Sequence, residues 1–160
     1  MQGDKQLCDF LSRLKNTQTL ILGIGSELKG DDGAGPLLCK QLKDTEIVAE
    51  IIDAGTVPEN YIQSIVKRSP GNILIIDAID FGAPAGRMKI FTSDELSSFA
   101  FSTHALSPHL FIDTIKKQIN VQVYIIGIQP GNINFGQKIS PDVYHAIKDL
   151  FDILSKVFLP

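Results

Sequence analysis

Two adjacent carboxylates, Asp31 and Asp32, follow a glycine-rich turn of the kind that holds a phosphate in other proteins. The stretch reads GIGSELKGDDGAG and comes directly after the apolar run TLIL. A dinucleotide fingerprint would need a glycine at Leu28, and a P-loop would need Lys and then Ser or Thr where the aspartates stand. Carboxylates at this point would repel a phosphate and favour a cation. We expect one aspartate to cap the helix that begins near Gly33 and the other to face the cleft.

Three more aspartates lie where apolar segments end. Asp77 stands inside the apolar run NILIIDAI, where a carboxylate is costly to bury unless it is paired or coordinated. A position at the exposed tip of the strand, or a cap on the next turn, explains Asp77 equally well. Asp80 is nearer to the loop FGAPAG and is expected to be solvated. Asp53 is either a further ligand candidate or the residue that forms an Asx turn, and the turn is the favoured interpretation.

The chain has three histidines, and only His104 lies in a polar loop, in the segment STH before a helical pattern. His145 falls on the face of the last helix that is expected to be exposed. His109 lies early in its helix, where a surface position is a sufficient explanation. A single loop histidine is more often solvated than functional. Two carboxylates and one imidazole from three loops nevertheless form a sensible ligand set for a borderline divalent ion, with positions left for water or substrate.

Apolar segments rich in Val, Ile and Leu alternate with helical patterns along the chain. Continuous apolar strands between helices indicate a single doubly wound α/β domain, with a mostly parallel, twisted sheet of about five strands and helices on both faces. Ligands bind beyond the carboxyl ends of such strands, which is where the aspartates fall. The predicted strands are Thr19–Gly25, Ile47–Ala54, Asn72–Ile79, Val121–Ile128 and the edge strand Arg87–Thr92, and the predicted helices are Gly33–Lys43, Glu59–Arg68, Ser107–Gln118 and Pro141–Phe158.

Length and composition limit the classes of function. A chain of 160 residues fits one domain, which we divide into an N-terminal extension, residues 1–18, and an α/β domain, residues 19–160. The net charge of −3 and the lack of a basic run leave no electrostatic footprint for nucleic acid. No apolar run approaches the ~20 residues that span a bilayer, and the N-terminus lacks a signal-peptide pattern. We therefore expect a cytoplasmic protein with no nucleic-acid partner and no membrane insertion.

The two cysteines do not indicate a catalytic or structural site. Cys8 and Cys39 form no CxxC motif, so neither a disulfide framework nor a zinc site follows from them. Cys39 lies in an apolar helical pattern and is expected to be a buried thiol. Neither cysteine lies in a loop near a histidine, which disfavours acyl-enzyme chemistry. An HExxH zinc motif is also lacking.

The chain contains, in this order, the segments GIGSELKGDDGAGPLL, IIDAGTVPEN, LIIDAIDFGAPAGRMKI, STHALS and YIIGIQP. Together they resemble the hydrogenase maturation endopeptidases, which trim a C-terminal extension from the large subunit of [NiFe] hydrogenases. The resemblance covers nearly the whole chain after residue 18, and it looks closest to the branch that serves the formate-hydrogenlyase type of hydrogenase. Ser26 departs from the pattern, since many relatives have Asn there.

The resemblance implies both a partner and a set of site residues. The partner is the [NiFe] hydrogenase large-subunit precursor, and the nickel is borne by that substrate rather than permanently bound. The nickel ligands of the family correspond to Asp32, Asp77 and His104 in this chain. The choice of Asp32 over Asp31, and of Asp77 over Asp80, rests on the resemblance. Asp32 is also the candidate general base for the water that cleaves the peptide bond. Alternatively, the metal polarises the scissile carbonyl or activates the water.

Two other functions remain as alternatives. One is a small-molecule metallohydrolase that keeps its own ion, and the other is a non-proteolytic metal-binding or hydrogenase-assembly module. The acidic first loop disfavours a flavin phosphate, and the lack of His-rich or Cys-rich tracts disfavours a metal chaperone. Partner choice is expected to lie in the surface loops Phe81–Gly86 and Ser97–Thr103.

Overall fold

A computed structural model describes residues 2–98 and 107–160 of the chain. The described residues form five strands and five α-helices in the order expected for an α/β domain. Three short 3-10 turns, Gly30–Gly33, Pro58–Tyr61 and Ser93–Ser98, precede or follow these elements. The strands are β1 Thr19–Ile24, β2 Glu50–Gly55, β3 Asn72–Ala78, β4 Met88–Thr92 and β5 Gln122–Ile128, and the helices are α1 Gln2–Ser12, α2 Ala34–Lys43, α3 Ile62–Arg68, α4 Pro108–Lys116 and α5 Pro141–Val157.

The strands form one sheet in the order β2-β1-β3-β5-β4. Strands β1, β2, β3 and β5 are parallel, while β4 pairs antiparallel with β5 at the edge of the sheet. Every residue of β1 and of β3 is buried, because both faces of these central strands are covered. This explains why the two strands are apolar without alternation. The predicted fold class, a doubly wound α/β domain with a mostly parallel sheet, is confirmed.

Two apolar clusters lie on the opposite faces of the sheet. Helices α1, α2 and α5 cover one face, where α5 contributes Val143, Ile147 and Leu150 at helical spacing. Helices α3 and α4 cover the other face, to which α4 contributes Phe111 and Ile115. Each face of the sheet therefore has its own core.

The N-terminal residues contribute to the first of these cores. Leu7 and Leu11 of α1, and Leu14 after it, are buried in the same cluster as α2 and α5. The first turns of the chain thus pack against the α/β domain. None of the helices in the described part of the chain is long and apolar enough to cross a bilayer.

The ends of the elements differ most from the predictions where 3-10 turns occur. A 3-10 turn, Gly30–Gly33, precedes α2, which begins at Ala34. The prediction that one of the two aspartates caps this helix is wrong, because neither the turn nor α2 has a side-chain cap. A 3-10 turn also forms the first part of the predicted helix Glu59–Arg68. Strand β2 begins at Glu50 rather than Ile47.

Candidate functional site

The predicted site residues lie at the switch point of the sheet. Strand β1 continues through α2 to β2 on one side, whereas β3 leads towards β5 on the other side. The chain therefore leaves two neighbouring strands in opposite directions. We call the region beyond their carboxyl ends, where open α/β sheets bind ligands, the crevice. Asp32 lies in the loop after β1, and Asp77 is the last residue but one of β3.

The carboxylate of Asp31 stabilises the fold by joining two loops. The residue is fully buried, and its Oδ2 accepts hydrogen bonds from the amides of Gly131 and Asn132 at 2.8 and 2.9 Å. Ser140 donates twice more, from its amide to Oδ1 at 2.7 Å and from its hydroxyl to Oδ2 at 2.9 Å. Four donors offset the cost of burying this charge. Asp31 therefore ties the loop after β1 to the loop between β5 and α5.

Asp32 is also fully buried, and its position depends on a close approach of two backbone segments. Its Oδ2 accepts a hydrogen bond from the amide of Ser26 at 2.9 Å. Its backbone carbonyl passes so close to Gly25 that a Cβ at that position would lie 1.8 Å from the carbonyl oxygen. Gly25 also has a φ of 143°, which L side chains rarely adopt. The glycine is therefore required for the loop that presents Asp32.

Asp77 is 1% exposed and lies on the neighbouring strand. The register pairs Ile76 with Gly23 of β1, so Asp77 stands one residue beyond that pair. The first turn of α2 packs directly on these strand ends, since a Cβ at Gly35 would lie 2.5 Å from the Ile76 carbonyl oxygen. The 3-10 turn that carries Asp32 also contacts β3. Asp32 and Asp77 therefore lie on adjoining segments of one crevice.

The two other candidate aspartates have local roles. Asp53 is half-buried, and its Oδ1 accepts a hydrogen bond from the Gly55 amide at 3.2 Å, which confirms the predicted Asx turn. Asp80 is exposed, as predicted. It accepts hydrogen bonds from Gln129 Nε2 and from the Gly82 amide, both at 3.1 Å. Both bonds lower the pKa of Asp80 below its ordinary value of 3.8, and the bond from Gln129 has the larger effect.

Gln129 organises the loop after β3 and was missed as a site residue from sequence. Its Oε1 accepts hydrogen bonds from the amides of Phe81 and Ala83 at 2.8 and 3.2 Å, while its Nε2 donates to Asp80. The side chain is 5% exposed. The sequence pattern that could have identified Gln129 is a polar residue directly after an apolar strand and directly before Pro130. Gln129 thus joins the ends of β3 and β5.

The structure describes only part of the predicted metal set. His104 lies outside the described residues, so its position relative to Asp32 and Asp77 stays a prediction. His109 is half-buried in the first turn of α4, and His145 is exposed on α5 as predicted. Within residues 2–98 and 107–160, no three His, Cys, Asp or Glu side chains are grouped as a metal site. The described site is therefore a crevice with two buried carboxylates, which suit a metal ion or an activated water.

Neither cysteine is placed as a nucleophile. Both thiols are free, and Cys39 is fully buried in α2 as predicted. Burial, and then the negative charge of Asp53, raise the pKa of the Cys39 thiol to about 12. The thiolate form that would attack a carbonyl is therefore disfavoured.

Comparison with known proteins agrees with this architecture. The family model described as hydrogenase maturation protease HycI matches residues 36–157. The Escherichia coli hydrogenase 3 maturation protease is 33% identical over 84% of this chain and 87% of its own length. A Methanocaldococcus jannaschii relative, provisionally assigned as a hydrogenase maturation protease, is 38% identical over 79% of this chain and 80% of its own length.

Solved structures of the same kind superimpose on most of the chain. The crystal structure of the [NiFe] hydrogenase maturation protease HycI from Thermococcus kodakarensis gives a TM-score of 0.85 at 26% identity, and the match covers 95% of this chain and 99% of that one. The solution structure of the endopeptidase HycI from Escherichia coli gives 0.79 at 31% identity, over 87% and 90% of the two chains. The sequence resemblance and the fold thus lead to one conclusion. The chain belongs to the hydrogenase maturation protease family and is a hydrolase of peptide bonds.

Proposed function

We propose that this protein removes the C-terminal extension of a [NiFe] hydrogenase large-subunit precursor after nickel has been inserted. In this proposal Asp32, Asp77 and His104 contact the nickel, which belongs to the substrate. Cleavage then takes place only after the metal has been inserted. The reaction is assigned to the cytoplasm, where nickel insertion would precede it.

The observation that carries this proposal is the placement of two buried carboxylates at the switch-point crevice. Asp31 accepts four hydrogen bonds that close the fold, and we assign Asp32 to the substrate. Asp77 lies on the adjoining strand and is also buried. Carboxylate oxygen and imidazole nitrogen are ligands that suit a divalent metal of borderline softness.

Asp32 is also assigned to the hydrolytic step. A water oxygen bonds to the scissile carbonyl carbon while Asp32 accepts the proton from that water. The proton then passes to the amide nitrogen as the carbon–nitrogen bond breaks, which releases the extension with a free amine. Nickel bound in the substrate would polarise the carbonyl or anchor the precursor beside the water. Asp77 then orients the substrate through the metal.

Two alternatives make different predictions about metal and partner. A small-molecule metallohydrolase would retain its own ion through dialysis. A non-proteolytic assembly module would form a complex without changing the mass of its partner. Membership of a protease family favours hydrolysis over the second alternative.

The metal dependence of binding tests the proposal. The purified, dialysed protein is analysed for metal, and its affinity for nickel-loaded and nickel-free precursor is measured by biolayer interferometry. We expect substoichiometric metal and tighter binding of the nickel-loaded precursor. Asp77→Asn should remove that preference, whereas Asp80→Asn, a change at an exposed carboxylate three positions later, should keep it. A full equivalent of retained metal, with equal affinity for both precursors, would overturn the proposal in favour of a metallohydrolase.

A further inference from the structure

Three large apolar side chains are exposed on two neighbouring loops, one of which leads to Asp32. Leu28, in the loop after β1, is 64% exposed, and Phe135, in the loop between β5 and α5, is 75% exposed. Ile133 of the second loop is 36% exposed. The backbone oxygen of Leu28 accepts a hydrogen bond from the amide of Gly136 at 2.8 Å, so the two loops lie side by side. We call these three residues the rim patch.

Hydrogen bonds join the two loops that carry the rim patch. The Gly30 amide donates to Gln137 O at 3.2 Å, and the Asp31 amide donates to Asn132 O at 2.8 Å. The carboxylate of Asp31 accepts the amides of Gly131 and Asn132 in return. Because the backbone is fixed before any partner arrives, presenting Phe135 to a partner costs little further conformational entropy. An aromatic side chain presented in this way is typical of an interface anchor.

The rim patch adjoins the residue assigned to the reaction. Leu28 is four positions before Asp32, in the loop whose 3-10 turn carries that carboxylate. The charged residues that flank the patch in sequence are Glu27 and Lys138, which are exposed, and Lys29, which is half-buried. A protein whose metal is bound at Asp32 would lie close to this apolar patch. Large apolar side chains that are exposed together on neighbouring loops are typical of interaction sites.

We propose that the rim patch docks the folded body of the hydrogenase large-subunit precursor, through an apolar segment beside its nickel site. This inference rests on the proposed function and adds to it the surface that recognises the partner. The patch supplies affinity for the precursor, while Asp32 and Asp77 act on the metal and the scissile bond. Partner selection then depends on the loops after β1 and β5, in addition to the loops expected from sequence.

Steady-state kinetics on matched variants test the docking surface. Leu28→Ser and Phe135→Ser are compared with Val48→Ser and Leu159→Ser, which remove side chains that are 58% and 57% exposed. The control positions lie near the amino end of β2, since the Val48 amide donates to Phe158 O. Each variant is mixed with nickel-loaded precursor, and processing is followed by intact mass. We expect KM to rise about tenfold for each rim variant, with kcat and the melting temperature unchanged, and no change for the controls.

The outcomes separate failure of the docking surface from failure of the proposed function. An unchanged KM for Phe135→Ser, or a fall in kcat at constant KM, would overturn the docking surface. A wild-type dimer that Phe135→Ser dissociates, measured by sedimentation velocity, would assign the rim patch to a second copy of this chain instead. A wild-type protein that does not process the precursor would overturn the proposed function alone. The affinity of uncut precursor for wild type and for Phe135→Ser still decides the docking surface in that case: weaker binding of the variant supports it, and equal or absent binding overturns it.

Discussion

Asp31 and Ser140 are joined by two hydrogen bonds, from the serine amide at 2.7 Å and from its hydroxyl at 2.9 Å. The serine directly precedes α5, while the aspartate lies in the turn before α2. The pair therefore locks the start of the last helix to the first loop of the site. Asp32, the adjacent residue, accepts a hydrogen bond from the Ser26 amide in its own loop. Two neighbouring carboxylates of one motif thus have different structural roles.

Isosteric substitutions should separate these roles. Asp31→Asn places an NH₂ group against donors, and we expect a loss of about 2–4 kcal/mol of unfolding free energy. Asp32→Asn keeps an acceptor for the Ser26 amide, so we expect a smaller loss of unfolding free energy than for Asp31→Asn, together with the loss of processing. Chemical denaturation and the intact mass of the precursor are the measurements. Equal destabilisation by the two variants would contradict the division of roles.

Gly25 should be irreplaceable because of space as well as backbone conformation. Gly25→Ala introduces a Cβ 1.8 Å from the Asp32 carbonyl oxygen at a φ of 143°, so the loop must shift and processing should be lost. Gly55 is the matched control, since it has a φ of 57° and open space around its Cβ position. Gly55→Ala should cost only the roughly 1–2 kcal/mol of left-handed backbone strain and keep activity. Similar stability and activity for both variants would show that the close approach is not decisive.

The hydrogen bonds to Asp80 should be visible in its titration. Its pKa is lowered by Gln129 and then by the Gly82 amide, so the stabilisation from its charged form is fully present above the ordinary pKa of 3.8. That contribution is lost as the pH falls through the lower, folded-state pKa. Gln129→Met should raise the pKa of Asp80 towards 3.8, with a residual decrease from Gly82. Carbon-detected NMR of the carboxyl group measures this, and a wild-type pKa at or above 3.8 would be inconsistent with the geometry.

The two thiols should differ in reactivity. Burial raises the pKa of Cys39 to about 12, whereas Cys8 is only half-buried. A thiol reagent at mildly alkaline pH should therefore label Cys8 alone in the folded protein and both cysteines after unfolding. Cys39→Ala should process the precursor at the wild-type kcat. A large fall in kcat for this variant, with its melting temperature retained, would indicate that the thiol takes part in the reaction.

The sequence predicted the sheet because its central strands are buried on both faces. Continuous runs such as NILIIDA occur where helices cover both sides of a strand, and this pattern is local. The crevice followed from the same pattern, since parallel strands place their carboxyl ends at one edge. The edge position of β4 was predicted from its alternation, and the structure places it there.

The roles of individual polar residues were harder to predict because their partners are distant in the chain. The bonds between Asp31 and Ser140 join residues 109 positions apart, and no local pattern encodes them. The choice of Asp32 over Asp31 therefore rested on family resemblance alone. The role of Gln129 likewise depends on the loop after β3, which is 46 to 49 positions away. Asp53 was predictable because its partner Gly55 is two residues away.

The most direct test of the central claim is the intact mass of nickel-loaded and nickel-free [NiFe] hydrogenase large-subunit precursor before and after incubation with this protein. We predict that a C-terminal peptide is lost only from the nickel-loaded precursor. Its loss should be abolished by Asp32→Ala, Asp77→Ala and His104→Ala, and retained with the Asp80→Ala control. Unchanged mass of the nickel-loaded precursor in a stable complex, or equal cleavage of both precursors, would contradict an endopeptidase that recognises nickel in its substrate.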